Sequence, residues 1–157
     1  TEEHDFLDAE HSGYKRLKNP VIHRRQIYFN EMEGYWVIKD ILVGESSHQF
    51  NLYFHFAPLE VELDSEFPLV MKTKTEGANL AIIPLEAEGA SAEILDGWVS
   101  YRYGVKERAS IVRYSKKGQV PTSFCNIIYP YIERINIGDV IEKVQTSEAL
   151  GLLGGRL

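Results

Sequence analysis

Five histidines, one cysteine and twenty-three carboxylates are the groups in this 157-residue chain able to do acid–base, nucleophilic or metal chemistry. The histidines are His4, His11, His23, His48 and His55. No two have the i, i+4 spacing that puts a pair of metal ligands on one helix face, and no His-X-His occurs along a strand. His23 and His55 would meet only if their strands were neighbours. Otherwise each is expected to pack its ring and make one hydrogen bond. Cys125 sits in the apolar run Thr122-Ser123-Phe124-Cys125-Asn126-Ile127-Ile128, where a small buried thiol is the ordinary case. There is no Gly-X-Ser-X-Gly elbow. Gly151, Gly154 and Gly155 lack the strand-to-helix context of a phosphate loop. Glu60, Glu62, Glu66, Glu86 and Glu88 are expected on solvated loops and faces, and no two stand out as a glycosidase pair. From these residues no catalytic group, no metal ligand set and no cofactor is expected.

Aromatic side chains are the remaining resource, with nine Tyr, seven Phe and two Trp. Most are expected in the core. One polar yet aromatic face stands out, formed by Arg24, Gln26 and Tyr28 beside Asn51, Tyr53 and His55. It suits a covering protein layer or a sugar ring. Arg24, Gln26, Tyr28, Tyr53 and His55 are therefore the candidate binding residues.

The elements that must carry these residues are strands. Alternation of period two runs through His23 to Phe29, Tyr35 to Val43 and Phe50 to Phe56, which predicts a three-stranded meander. Leu69 to Lys74 and Leu80 to Ile83 also read as strands. Asp96-Gly97 carries the type I′ hairpin signal, and Ser115 to Gly118 predicts a turn between Ala109–Tyr114 and Val120–Tyr129. Pro58 to Glu66 reads as an acidic loop. The expectation is one all-β antiparallel sandwich over 1–145, jelly-roll or supersandwich-like. Residues 146–157 are expected to be a weakly structured tail.

Composition bounds the partners. At 44% hydrophobic, 25% charged and net charge −6, the chain is an ordinary globular sequence without the basic footprint of a nucleic-acid binder. No apolar run approaches the length of a spanning helix, so no membrane partner is expected. The start, Thr1-Glu2-Glu3-His4-Asp5, has neither the basic nor the apolar region of a signal peptide. With a single cysteine, no intrachain disulfide framework is possible.

Several ordered segments resemble heparinase II/III-like polysaccharide lyases. They are His11-Ser12-Gly13-Tyr14-Lys15-Arg16-Leu17 followed by Pro20-Val21-Ile22-His23-Arg24-Arg25, then Tyr35 to Asp40, Phe54 to Pro58, and Trp98 to Gly104 with Pro121. The resemblance spans His11 to Pro130. It implies the C-terminal β-sandwich region of a longer bacterial protein, periplasmic or extracellular, whose N-terminal α/α toroid is its partner in the same chain. It further implies cleavage of acidic polysaccharide by β-elimination. There a base takes the C5 proton of a uronic acid while its carboxylate is neutralised, and an acid protonates the leaving oxygen. The family's catalytic and metal residues lie on the toroid and in a Gly-His-X-His-X-Asp-like stretch that this chain lacks. No catalytic residue is therefore carried over, and the chain alone is expected to be inactive. The alternative is a free-standing carbohydrate-binding or assembly module.

Overall fold

The computed structural model describes residues 3–154. Thr1, Glu2 and the 155–157 end of the expected tail, including Gly155, lie outside the described residues. In chain order the elements are β1 (His4–His11), a 3-10 turn (Gly13–Arg16), β2 (Val21–Asn30), β3 (Tyr35–Gly44), β4 (Ser47–His55), β5 (Glu60–Leu63), β6 (Met71–Lys74), β7 (Asn79–Pro84), β8 (Ala90–Arg102), β9 (Val105–Gln119) and β10 (Thr122–Tyr131). Two helices follow, α1 (Ile137–Thr146) and α2 (Ala149–Leu152). A seven-stranded sheet has the order β1-β2-β3-β10-β7-β6-β5, and a three-stranded sheet the order β4-β9-β8. Every pairing is antiparallel. The antiparallel sandwich read from the alternation is the architecture observed.

Two apolar cores lie on opposite faces of the larger sheet. Between the sheets, Val21, Leu42, Met71, Ile82 and Phe124 meet Phe50, Phe56, Val112 and Tyr114. On the other face, Tyr28, Tyr35, Val37, Ala81, Ile83 and Ile127 pack under Ile137, Val140, Val144, Ala149 and Leu153 of the helical end. β10 serves both cores, since Phe124, Cys125, Asn126 and Ile127 are buried in succession. A strand buried on both faces belongs at the centre of a sheet, and β10 duly takes the place beside β3 that the meander assigned to β4.

That exchange corrects the expected meander. β4 pairs with β9 in the second sheet, so Phe50, Leu52, Phe54 and Phe56 turn their common face onto the larger sheet. The expected hairpin from Ala109 to Tyr129 is corrected likewise. β9 runs straight through Ser115 to Gly118, and Val120-Pro121 passes the chain from one sheet to the other.

Asp96-Gly97 is not a turn but lies inside β8, and the reversal comes at Gly104, φ +77°. Gly97 is small for another reason. A Cβ there would sit 2.5 Å from Ile111 Cδ1, whose side chain crosses the glycine from β9. Gly97→Ala is expected to lower stability by about 1–3 kcal/mol through this overlap. Gly77→Ala, where nothing lies within 4 Å, should leave the thermal midpoint unchanged. Comparing the two melts checks the assignment.

Two strands escape the sequence pattern. β1 is charged and exposed along nearly its whole length, and β5 occupies the stretch expected as an acidic loop, paired with Lys72 and Lys74 of β6. Both are edge strands, where charge replaces apolar alternation. α1 was also outside the expected set, although its signals are present. Asn136 caps it by accepting from the Gly138 and Asp139 amides at 3.0 and 3.4 Å, and Ile137, Val140, Ile141 and Val144 recur at helical spacing. The segment expected as a weak tail holds α2, with Ala149 and Leu153 buried in the helical core.

Candidate functional site

The five candidate binding residues do not form one surface. Arg24, Gln26 and Tyr28 share the face of β2 that points to the helical layer, as their alternation requires, but Tyr53 and His55 belong to the other sheet. Tyr28 is 1% exposed, stacked on His4 at 5.3 Å, with burial raising its hydroxyl pKa. Gln26 is buried as well. Its Nε2 donates to Asp8 at 2.9 Å, while its Oε1 has no partner among the described residues. Arg24 is occupied by Asp8, to which its Nε donates at 2.7 Å, and this pairing holds the Asp8 carboxyl at a pKa of about 2. Arg24 nevertheless keeps about half of its side chain exposed, and Tyr53 and His55 stand open to solvent, neighbours on the outer side of β4 with rings 6.5 Å apart. The expected shared face does not form, because it needed β2 and β4 in one sheet and β4 pairs with β9 in the other.

Sequence reasoning missed a second constellation on the opposite face of β2. Cross-strand register sets His11 of β1 opposite His23 of β2, and Arg25 of β2 opposite Asp40 of β3. Asp40 is 2% exposed. It accepts two bonds from the Arg25 guanidinium, at 2.7 and 3.0 Å, and one from His23 Nε2 at 2.5 Å. His23 Nδ1 lies 3.2 Å from His11 Nε2, and the Gly13 amide donates to His11 Nδ1 at 3.1 Å. The order of partners fixes the tautomers. Nδ1 of His11 takes the amide proton, so its Nε2–H donates to His23 Nδ1, leaving His23 Nε2–H for the carboxylate. Tyr14 leans on the His11 ring at 5.1 Å. A buried carboxylate holding a bidentate arginine and an imidazole is well compensated.

This chain ends at a cleft of about 320 Å³ between β4 and the β2–β3 pair, with Tyr14, His23, His48 and Tyr53 at the rim and Leu42, Phe50 and Phe124 beneath. The cleft has the look of an acid–base site, but its His11–His23 pair is already engaged, and His48 at the rim donates Nε2–H to the Glu45 carbonyl at 3.0 Å. A general base needs a free lone pair, and both nitrogens of His11 and of His23 are engaged within the chain. As it stands, the cluster locks the loop before β2 onto β2 and β3. The signal available in the sequence was the segment His11 to Arg25 itself, whose His11, Gly13, Tyr14, His23 and Arg25 all converge here. His23 and His55 lie in different sheets, so that pairing is excluded. Among the described residues no group of three or more His, Cys, Asp or Glu is placed to hold a metal ion.

Two further features complete the inventory. Cys125 is 1% exposed, and burial pushes its thiol up to about 12, so it stays protonated and unreactive at neutral pH. At the β8–β9 tip, Trp98 is 54% exposed with Lys106 Nζ 4.2 Å and Arg108 5.3 Å from its ring centroid, a cation–π arrangement beside exposed Tyr101 and Tyr103.

An antiparallel sandwich with helices over one face, and a His11-to-Arg25 segment folded into a single polar cluster, defines a class. The chain belongs to the heparinase II/III-like C-terminal family, whose model matches residues 1–133. Among particular proteins, it is 30% identical over 136 residues to a heparin-sulfate lyase of Pedobacter heparinus, a match covering 81% of this chain and 19% of that one. A heparin-sulfate lyase of Bacteroides stercoris is 28% identical over 112 residues, covering 71% and 16%. The solved structure of a heparan sulfate lyase from Pedobacter heparinus superposes with a TM-score of 0.73 at 23% identity, over 85% of this chain and 21% of that one. A heparinase III superposes with a TM-score of 0.71 at 24% identity, over 82% and 20%. The chain thus spans about a fifth of the length of these relatives.

Proposed function

We propose that the chain is the C-terminal β-sandwich domain of a longer lyase that cleaves uronic-acid-containing polysaccharide by β-elimination, and that the proton-transfer groups lie in the rest of that protein, with an N-terminal α/α toroid as intramolecular partner. Two observations carry the division of labour: the chain spans about a fifth of its relatives' length, and the linked imidazoles His11 and His23 beside the cleft have all four ring nitrogens bonded within the chain. This pair holds geometry and does not move protons. Tyr53 and His55, exposed on the smaller sheet, and Arg24, exposed on the larger one, are the candidates for contact with the toroid or the glycan. Incubated with heparin, heparan sulfate or alginate, the isolated chain is expected to release no unsaturated uronate, followed by its ultraviolet absorbance. Steady product formation by the purified chain would overturn the proposal.

Exposed Trp98, Tyr101 and Tyr103 favour a second reading, a carbohydrate-binding module, because flat aromatics stack on sugar rings. Affinity electrophoresis separates the two: a module is retarded by a glycan-loaded gel and loses that retardation in Trp98→Ala, whereas the lyase-domain reading expects unretarded migration.

A further inference from the structure

The two sheets are of unequal width, three strands facing seven. At one edge of the smaller sheet β8 lies near β5. At its other edge β4 lies across the cleft from Val21, His23 and Leu42. Past β4 the larger sheet continues through β2 to β1, and on that side the register aligns two apolar rows. Leu7, Ile27 and Ile38 form one, and Phe29 beside Trp36 the next, with the last two rings stacked at 4.6 Å. Leu7 is 52% exposed and the other four are half-buried. None of the five belongs to either core. The Arg25–Asp40 pair forms the adjoining row of the same face.

The β4 edge beside this face is unfinished. Phe56 N–H donates to the Ser110 carbonyl and Val120 N–H to that of Ser46, which sets the phase of the ladder with β9. By antiparallel alternation, the amides of Gln49, Asn51, Tyr53 and His55 point away from β9. A solvent edge is ordinarily blunted by lysine, proline, a bulge or shortness. β4 is nine residues long, carries no Lys, Arg, Asp, Glu or Pro, and keeps its register throughout.

An apolar face needs cover and an unpaired edge needs a strand. Both needs fall on the same side of the molecule. We infer that the rest of the parent protein adds antiparallel strands to β4, extending the smaller sheet over β3, β2 and β1. Their alternate apolar side chains meet Leu7, Ile27, Phe29, Trp36 and Ile38. At about 4.8 Å between strands, two to three would span the gap. The inference rests on the domain reading above, since relatives about five times as long provide the extra chain.

Hydrogen exchange resolved to single amides, in the full-length parent and in the 157-residue chain, tests it. The Gln49, Asn51, Tyr53 and His55 amides are expected to exchange at least about tenfold more slowly in the parent. Equal exchange in both proteins would overturn the inference while leaving the domain reading intact. Protection already present in the isolated chain, rising with its concentration, would also overturn it by making a second copy the occupant. Failure of the domain reading would show separately, as a native polypeptide of 18.0 kDa.

Discussion

Asp40→Ala is expected to melt about 4–12 °C below the parent chain, the thermal consequence of losing roughly 2–3 kcal/mol in a domain of this size. Asp40 is almost fully buried and accepts three bonds, two from Arg25 and one from His23. Removing a buried partner strands the groups it satisfied, and that cost exceeds the net value of the pair. The Arg25 side chain is 42% exposed, so it can regain water, which keeps the loss below that of a fully interior charge. The effect should spread beyond one residue. Without Asp40, His23 loses the partner that fixes its tautomer, and His11 then loses its acceptor. Asp40→Asn, which keeps the size and one acceptor oxygen, should recover part of the loss. A calorimetric or circular-dichroism melt measures both variants, and an unchanged midpoint in Asp40→Ala would contradict the account of the cluster.

Tyr28→Ala carries the other large effect, a loss of about 3–5 kcal/mol. Its ring is sealed between the β2 face and the helical layer, against His4 and 6.3 Å from Tyr35. Tyr28→Phe should cost far less, because the hydroxyl's contacts are peripheral, with Asn30 Nδ2 at 3.5 Å and the Glu148 carboxylate. The contrast distinguishes a core aromatic from a glycan-stacking one. If Tyr28 served as a surface platform, alanine would leave the denaturation midpoint in place and both variants would weaken ligand binding. Urea titrations of the three proteins decide the matter.

The strands that sequence alternation made legible are those with one apolar face. In β4 the Phe50-Leu52-Phe54-Phe56 stripe gave strand and facing together, because a period of two leaves one solution once a single side is buried. Which strand lies beside which was not legible, since pairing is decided by contacts far apart in the chain. β10 displaced β4 from the flank of β3 through burial on both of its faces, a property shared between Phe124 and Ile127 that alternation cannot express. Gly97 shows the other failure. A turn dipeptide and a glycine admitting a neighbour's side chain read alike until Ile111 is in place.

The site divides in the same way. Alternation correctly put Arg24, Gln26 and Tyr28 on one face of β2, but nothing local said that helices would cover it. His23, read from sequence as a lone imidazole or a partner of His55, gains its meaning from register. Register brings His11 opposite it and Asp40 within its reach.

The central claim is that this domain is one part of a larger lyase. A blot of source-organism extract with antiserum raised against the chain tests it most directly. The account predicts one band several times heavier than 18.0 kDa, near fivefold if the chain fills the same share of its parent as of its relatives. A single band at 18.0 kDa would contradict it, leaving a module that acts without a toroid.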